Sequence, residues 1–217
     1  MRVKRTLQPY VLNDKIKFGF GNVSLERDID CNEMNINLIK KLDEDVDIQQ
    51  LSIEERKIVK FMLSKGLLTN NQYDDTKYSR NINFFEWIDL SKNLNPCEYQ
   101  KRLLESTVLI VGVGGIGSTV VEILARLGVG RFIIVDFDIV EESNLTRQSG
   151  FKKSDIGKSK VEVIQRNIQA ISDSKVVTIS KQLRCKNDLE KLFKSYSFDI
   201  ALCCADTPSI EIDYWFD

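Results

Sequence analysis

The stretch VLIVGVGGIGSTVVEILARLG, from Val108 to Gly128, decides the fold because it predicts a buried strand, a glycine turn and a helix in immediate succession. VLIV is a continuous apolar run, which is typical of a parallel strand covered on both faces. Gly112, Gly114 and Gly117 follow it in the spacing GxGxxG, where missing side chains let backbone amides and a helix N-terminus approach a phosphate. The alternative is a turn that serves only tight packing of strand against helix. Both NAD and ATP fit such a turn, so the turn alone does not identify the nucleotide.

The sequence after this stretch alternates strand and helix patterns. Continuous apolar runs predict strands, and apolar positions at helical spacing predict helices. The predicted strands cover 107–111, 131–136, 175–180 and 198–204, and the predicted helices begin near 117 and cover about 158–171 and 187–195. This alternation predicts a Rossmann-like α/β fold, in which a parallel sheet carries helices on both faces.

The sequence before the glycine turn has a different pattern. Short β-type runs, VKRTL, YVL, KIKFGF and VSLER, are followed by two helical patterns, one over 35–42 and one after Ser52. Ser52 and Glu55 have the spacing of a helix capping box, Gly66 closes that helix, and LLTN predicts a return strand. This order predicts a small winged-helix-like α+β domain.

We therefore expect three parts in the chain. A winged-helix-like domain covers 1–75, a linker with helices covers 76–106, and the α/β domain covers 107–217. The middle part contains the polar stretch NNQYDDTK, the aromatic patch FFEW and a helix that Asn95-Pro96 opens and that runs to about Glu105.

The composition excludes several classes of function. Among 217 residues, 31 Lys and Arg balance 32 Asp and Glu, so no global field attracts nucleic acid or an anionic membrane. No apolar run is long enough to span a bilayer, and the N-terminus lacks a cleavable signal. Five cysteines without CxxC spacing are typical of reduced thiols, and with the absent signal they predict a cytoplasmic protein. The absence of histidine removes Ser-His-Asp and Cys-His catalysis.

Two carboxylates follow the second strand of the α/β pattern. Asp136 lies 19 residues after Gly117, where it can accept hydrogen bonds from the ribose of either NAD or ATP. Asp138 is a second candidate ligand, and a solvated residue at a strand end is the equal alternative. Ser118 stands where a Walker A loop requires lysine, so this turn is not a P-loop.

Three further residues favour a triphosphate over NAD. Arg147 in SNLTRQ and Lys160 in GKSK supply two cations that an NAD pyrophosphate rarely requires. A lysine in a first helical turn is otherwise a solvated surface residue. Asp206 in ALCCAD follows the fourth strand, and a carboxylate near phosphates is favourable when Mg²⁺ lies between them. The alternative for Asp206 is a helix N-cap before Pro208.

The motifs GVGGIG, VDFD, SNLTRQ, GKSK and CCAD, in this order, resemble those of the E1-like adenylyltransferases, the ThiF, MoeB and HesA superfamily. YSRN at Tyr78 to Asn81, followed by Asn95-Pro96, resembles the peptide-modifying branch typified by the microcin C adenylating enzyme. In that branch a small N-terminal domain clamps the substrate peptide, as RiPP recognition elements do, so the resemblance implies that 1–75 is a peptide-recognition domain. The resemblance covers roughly 77–217.

The resemblance implies that the C-terminal carboxylate of a peptide or small ubiquitin-like protein attacks the α-phosphate of ATP, giving an acyl-adenylate and pyrophosphate. It places Asn144, Arg147 and Lys160 at the phosphates and Asp206 at Mg²⁺. It also makes Arg80 the arginine that the other protomer of a homodimer extends into the site. The candidate nucleotide-binding residues are then Gly112, Gly114, Gly115, Gly117, Asp136, Asp138, Asn144, Arg147, Gln148 and Lys160. Catalysis would rest on positioning and charge neutralisation, without a covalent nucleophile at this step.

Members of that superfamily continue past the fourth strand, often with two CxxC zinc pairs. We therefore expect that this chain lacks the C-terminal half of the catalytic domain and holds no ligands for a structural zinc. The first alternative function is a non-catalytic module that binds a leader peptide along an exposed strand edge. An NAD-dependent oxidoreductase is the second, and a DNA-binding winged helix is weaker, because the first domain has no basic excess.

Overall fold

The computed structural model describes residues 1–19, 27–44, 46–70, 77–88 and 95–205. The chain divides into two compact units, Met1–Gln100 and Lys101–Asp217. The finer division at residues 75 and 106 stays a prediction. No helix in the described ranges combines the length and the apolar character that crossing a membrane requires.

The first unit combines small antiparallel sheets with helices. Strands β1 (Arg2–Val3) and β5 (Leu68–Thr69) pair with each other, and β2, β3 and β4 form a separate antiparallel sheet in that order. The elements of this unit are β2 (Tyr10–Leu12), β3 (Lys15–Phe18), β4 (Arg27–Asp30), α1 (Glu33–Asp43), α2 (Ile53–Ser64), α3 (Ser79–Ile88) and α4 (Pro96–Glu105), the last of which continues into the second unit.

Local sequence signals account for the boundaries of α2. The Ser52 hydroxyl accepts from the Glu55 amide at 3.2 Å, and the Glu55 carboxylate accepts from the Ser52 amide at 2.8 Å, so the predicted capping box is confirmed. Gly66 follows the helix with φ +70°, the left-handed conformation that glycine favours after a helix C-terminus. Val59 and Met62 lie on the buried face of α2 and pack in the core of this unit, in the same apolar cluster as Leu38 of α1.

One prediction in the first unit needs correction. Of VKRTL, only Val3 is in a strand, because Arg5–Leu7 form a 3-10 helix. The buried carboxylate of Glu86 accepts from the Arg5 amide at 2.9 Å and from the Arg2 guanidinium at 3.0 Å, which turns the chain away from the strand direction. The run VSLER falls mostly outside the described residues, and the strand there is Arg27–Asp30.

The second unit is built on a four-stranded parallel sheet in the order β8-β7-β6-β9. Each predicted strand and helix is found within a few residues of its expected bounds. The elements are β6 (Thr107–Val111), α5 (Gly115–Leu127), β7 (Arg131–Val135), α6 (Lys160–Gln169), β8 (Lys175–Ile179), α7 (Lys186–Ser195) and β9 (Ile200–Cys203), with 3-10 helices at Glu142–Thr146 and Lys153–Asp155.

Alternate residues of the central strands face opposite cores. Val108 and Ile110 of β6 pack on one side with residues of α5 and α6, among them Val121 and Ile164. Leu109 and Val111 pack on the other side, in a cluster that includes Leu192 of α7. The sheet is therefore covered on both faces, which confirms the Rossmann-like fold. Because the chain leaves β6 toward β7 on one side and returns as β9 on the other, a crevice opens at the carboxyl ends of these strands.

Candidate functional site

The glycine turn after β6 contains two glycines that the fold itself requires. Gly112 has φ +86°, and a Cβ atom there would lie 2.7 Å from the amide nitrogen of Ala205. A Cβ atom at Gly117 would lie 1.9 Å from the carbonyl oxygen of Gly112. Both contacts are with backbone, which cannot move aside as a flexible side chain would. Gly112 and Gly117 therefore serve the close packing of β6, β9 and α5.

Gly114 and Gly115 differ from these two because packing does not require them. A Cβ atom would lie 3.7 Å from the Gln148 amide nitrogen at Gly114 and 3.4 Å from the Arg147 carbonyl oxygen at Gly115, both ordinary contacts. Both glycines line the cavity described next, and Gly114 is the N-cap of α5 without a side-chain cap. The absent side chains here leave the backbone open to a ligand rather than to a neighbouring strand.

A cavity of about 930 Å³ lies at the carboxyl ends of the strands, large enough for a nucleotide. It brings together nearly all of the predicted nucleotide-binding residues of the second unit, with Gly117 supporting the turn from outside the lining. The predicted residues that line it are Gly112, Gly114, Gly115, Asp136, Asp138, Asn144, Arg147, Gln148 and Lys160.

Asp136 joins the end of β7 to the glycine turn. One carboxylate oxygen accepts from the Val113 amide at 2.8 Å, and the other accepts from the Asp138 amide at 2.9 Å. These bonds fix the carboxylate at the mouth of the crevice. Each oxygen keeps a second lone pair, so the fixed carboxylate can still accept from a ribose hydroxyl.

Asp138 and Lys160 form an ion pair at the start of α6. The Lys160 ammonium donates to Asp138 Oδ2 at 2.8 Å, and the Lys160 side chain is only 6% exposed. Lys160 is therefore not the solvated lysine that its place in a first helical turn suggests. Asp138 is likewise ion-paired and not merely a solvated residue at the end of a strand.

The 3-10 helix Glu142–Thr146 and the two residues after it carry the SNLTRQ motif into the cavity. The buried Asn144 side chain accepts from the Glu141 amide at 2.9 Å and so stabilises the start of this turn. Arg147 is exposed, and one guanidinium nitrogen donates to the Ser143 carbonyl at 3.0 Å. Gln148 is buried, yet its Oε1 atom has no hydrogen-bond partner in the described residues. An arginine and an unsatisfied amide therefore face the cavity.

The loop between β8 and α7 also lines the cavity and was not predicted from the sequence. Its cations are Lys181 and Arg184, and Asp188 of α7 holds it through the Lys181 ammonium at 2.7 Å and the Arg184 amide at 3.1 Å. The hydrogen bond from Lys181 is the main cause that lowers the pKa of Asp188 to about 2. The sequence does contain a signal for this loop. The segment KQLRC, residues 181–185, follows a predicted parallel strand at the edge of the sheet where ligands bind.

A second unpredicted residue, Asp155, anchors the segment that precedes Lys160. Its carboxylate is fully buried and accepts from Arg166 at 2.8 and 3.0 Å, from the Lys152 amide at 3.1 Å and from Lys158 at 3.2 Å. The hydrogen bonds from Arg166 hold the pKa of Asp155 well below its ordinary value. Asp155 does not line the cavity, so its contacts serve the fold.

Two predicted catalytic residues stand apart from this geometry. Asp206 lies outside the described residues, so its role with Mg²⁺ or as an N-cap stays a prediction. Arg80 is part of α3 in the first unit, and its role in a partner's site also stays a prediction. Within the described ranges, no group of three or more His, Cys, Asp or Glu side chains is placed to hold a metal ion.

A parallel sheet of this order, with an open glycine turn and a ribose-type carboxylate at one crevice, defines a Rossmann-type nucleotide-binding domain. Residues 78–217 match the model of the ThiF family, so the chain belongs to the ThiF family of the E1-like adenylyltransferase superfamily.

Curated relatives match about half of the chain. The chain is 40% identical over 97 residues to the probable adenylyltransferase/sulfurtransferase MoeZ of Mycobacterium tuberculosis, covering 45% of this chain and 25% of that protein. It is 37% identical over 107 residues to the tRNA threonylcarbamoyladenosine dehydratase of Bacillus subtilis, covering 49% of this chain and 42% of that protein. The matched segment thus spans less than half of either relative.

Solved structures match almost the whole chain. The crystal structure of E. coli MccB with ATP is 26% identical, with a TM-score of 0.83, and covers 99% of this chain and 65% of that chain. MccB with MccA-N7isoASN gives a TM-score of 0.82 at 26% identity, covering 99% of this chain and 64% of that chain. This similarity extends beyond the ThiF region into the first unit.

Proposed function

We propose that this protein catalyses the ATP-dependent adenylylation of the C-terminal carboxylate of a peptide or small ubiquitin-like protein. The observation that carries the proposal is one cavity that Arg147 and the buried Lys160 line together with the glycines of the turn. A site for a dinucleotide has one pyrophosphate to neutralise, whereas a triphosphate carries more charge and requires cations of this kind.

The residues of the cavity divide the work of this reaction. Gly114 and Gly115 would present backbone amides to the phosphates, and Asp136 would accept from the ribose hydroxyls. Arg147 and Lys160 would neutralise the charge that moves to the β- and γ-phosphates as the α-phosphate is attacked. Mg²⁺ would neutralise phosphate oxygens further, with Asp206 as the proposed ligand.

A peptide substrate, in a RiPP or peptide-antibiotic modification pathway, is the more specific part of the proposal. The structural similarity to MccB includes the first unit, whereas the curated sulfurtransferase relatives match about half of the chain. The first unit would then act as a RiPP recognition element. The proposal includes a cytoplasmic homodimer in which Arg80 of each protomer completes the site of the other.

Thermal unfolding of the full chain tests the nucleotide assignment. We expect Mg-ATP to raise the melting temperature, ATP with a chelator to raise it less, and NAD to leave it unchanged, because a ligand stabilises the fold that binds it. At 100 times the dissociation constant, the stabilisation is about 2.7 kcal/mol.

The variant Arg147→Met sharpens this test because Arg147 is exposed and its loss costs the fold little. We expect it to melt at the wild-type temperature without nucleotide and to lose most of the shift with Mg-ATP. Glu162→Gln, an exposed change in the first turn of α6, is the matched control and should keep the full shift. A shift with NAD alone would replace adenylylation with an oxidoreductase. No shift with any nucleotide would favour a non-catalytic peptide-binding module.

A further inference from the structure

The buried ammonium of Lys160 requires a counter-ion before any ligand is bound. The side chain is 6% exposed, and Lys160 is the first residue of α6. Burial and the positive end of the helix dipole both disfavour a positive charge at this position. In the described part of the chain, the carboxylate of Asp138 pairs with this ammonium, with 2.8 Å between Asp138 Oδ2 and Lys160 Nζ.

Backbone contacts hold Asp138 beside Lys160. The Asp138 amide donates to Asp136 Oδ1 at 2.9 Å, and the Asp138 carbonyl accepts from the Lys160 amide at 3.0 Å. Two residues further on, Val140 exchanges backbone hydrogen bonds with Lys158 and Gly157, both at 2.8 Å. The two segments therefore run side by side, and Asp138 is pinned from both directions.

The same contacts separate the roles of the two carboxylates. Both carboxylate oxygens of Asp136 accept from backbone amides, and each keeps a free lone pair toward the mouth of the crevice. Asp138 is 45% exposed, and its carboxylate pairs with Lys160, a cation that is buried beside the cavity. Its negative charge at this position repels phosphate groups that approach the same ammonium.

We propose that Asp138 is a positioning residue that acts through Lys160. It is the resident counter-ion that pairs with the buried Lys160 ammonium in the nucleotide-free site, and the phosphates of the nucleotide compete with it for that ammonium. This inference rests on the proposed function, because it takes the phosphates of ATP as the competing anion.

A double-mutant cycle in the full chain tests the pairing without any ligand. The variants are Asp138→Asn, Lys160→Met and the double variant, with Glu162→Gln as the control for loss of a nearby carboxylate. We expect Asp138→Asn to lower the melting temperature in the wild-type background, because it leaves a buried ammonium without a counter-charge. In the Lys160→Met background it should have little effect, which is the signature of a direct interaction.

Calorimetric titration of the same variants with Mg-ATP and with adenosine gives a readout that a purely structural role would not change. We expect Asp138→Asn to bind Mg-ATP at least about threefold more tightly than the wild type, because the competing anion is gone. Its affinity for adenosine, which has no phosphate, should be unchanged. In the Lys160→Met background, the gain for Mg-ATP should vanish.

The opposite sign would overturn the proposal. If Asp138→Asn weakened binding of both Mg-ATP and adenosine, Asp138 would be a ligand of the nucleoside. An unchanged affinity for Mg-ATP would show that Asp138 does not compete with phosphate. If the wild type bound neither probe, the proposed function would fail, and the ligand-free cycle alone would decide: coupled losses would support Asp138 as the counter-ion of Lys160, and additive losses would overturn it.

Discussion

Two aspartates, Asp155 and Asp138, flank the segment that leads into α6, and they differ in how fully their bonding capacity is used. Asp155 is completely buried and accepts four hydrogen bonds, two from the Arg166 guanidinium, one from the Lys158 ammonium and one from the Lys152 backbone amide. Asp138 is half-exposed and accepts from a single ammonium. Asp155, whose carboxylate accepts the larger number of hydrogen bonds, lies outside the cavity, whereas Asp138 lies on the cavity wall.

The same contrast separates the glycines of the turn. Gly112 and Gly117 have their space filled by backbone, whereas a Cβ atom at Gly114 or Gly115 would meet only ordinary contacts, and both glycines line the cavity. Groups whose contacts are complete within the fold contribute to stability, and groups with unused capacity remain available to a ligand. Substitutions of groups whose contacts are complete within the fold should therefore lower stability, and substitutions of groups with unused capacity should change ligand binding.

The largest expected effect comes from comparing Gly117→Ala with Gly115→Ala. The new methyl group at 117 would overlap the Gly112 carbonyl, so we expect a loss of about 3 kcal/mol or more, or failure to fold. The methyl group at 115 meets only an ordinary contact, so its stability should stay close to wild type while affinity for Mg-ATP falls at least about tenfold. Urea unfolding and calorimetry measure the two effects, and equal loss of stability in both variants would erase the distinction.

A smaller effect is expected from Asp155→Asn. The variant keeps the shape of the side chain but removes the charge that pairs with Arg166, so we expect a loss of about 2 kcal/mol in the free energy of unfolding. Urea unfolding at pH 7 measures it, with Glu162→Gln as the surface control. Affinity for Mg-ATP, measured where the variant is folded, should be nearly unchanged. A variant as stable as wild type would mean that the buried contacts of Asp155 contribute little.

The sequence predicted the second unit well because its signals are local. Continuous apolar runs identify β6 and β7, and the glycine spacing identifies the turn, without reference to distant residues. The lining of the cavity by Asp136, Asn144 and Arg147 also follows, since residues after parallel strands meet at one edge.

Features that depend on distant contacts were not predictable from these signals. The 3-10 helix at Arg5–Leu7 depends on Glu86, 81 residues from Arg5 along the chain. The burial of Lys160 depends on the pairing of its segment with the residues after β7, which no local pattern encodes. The contribution of Lys181 to the cavity depends likewise on where the loop after β8 is held by Asp188.

The smallest effect concerns Asp188, which holds that loop and shows how a partly used carboxylate responds to acid. Its pKa is lowered to about 2, first by the hydrogen bond from Lys181 and then by the Arg184 amide. Because the folded-state pKa lies below the ordinary value of about 4, the stability it contributes is present above about pH 4 and is lost as the pH falls toward 2. We expect Asp188→Asn to melt slightly below wild type at pH 6, with the difference shrinking as the pH falls from about 4. Lys181→Met removes the hydrogen bond that lowers the pKa of Asp188 most, so its difference in melting temperature from wild type should shrink in the same pH window. If the differences from wild type stayed constant down to about pH 3, Asp188 would gain nothing from its partners.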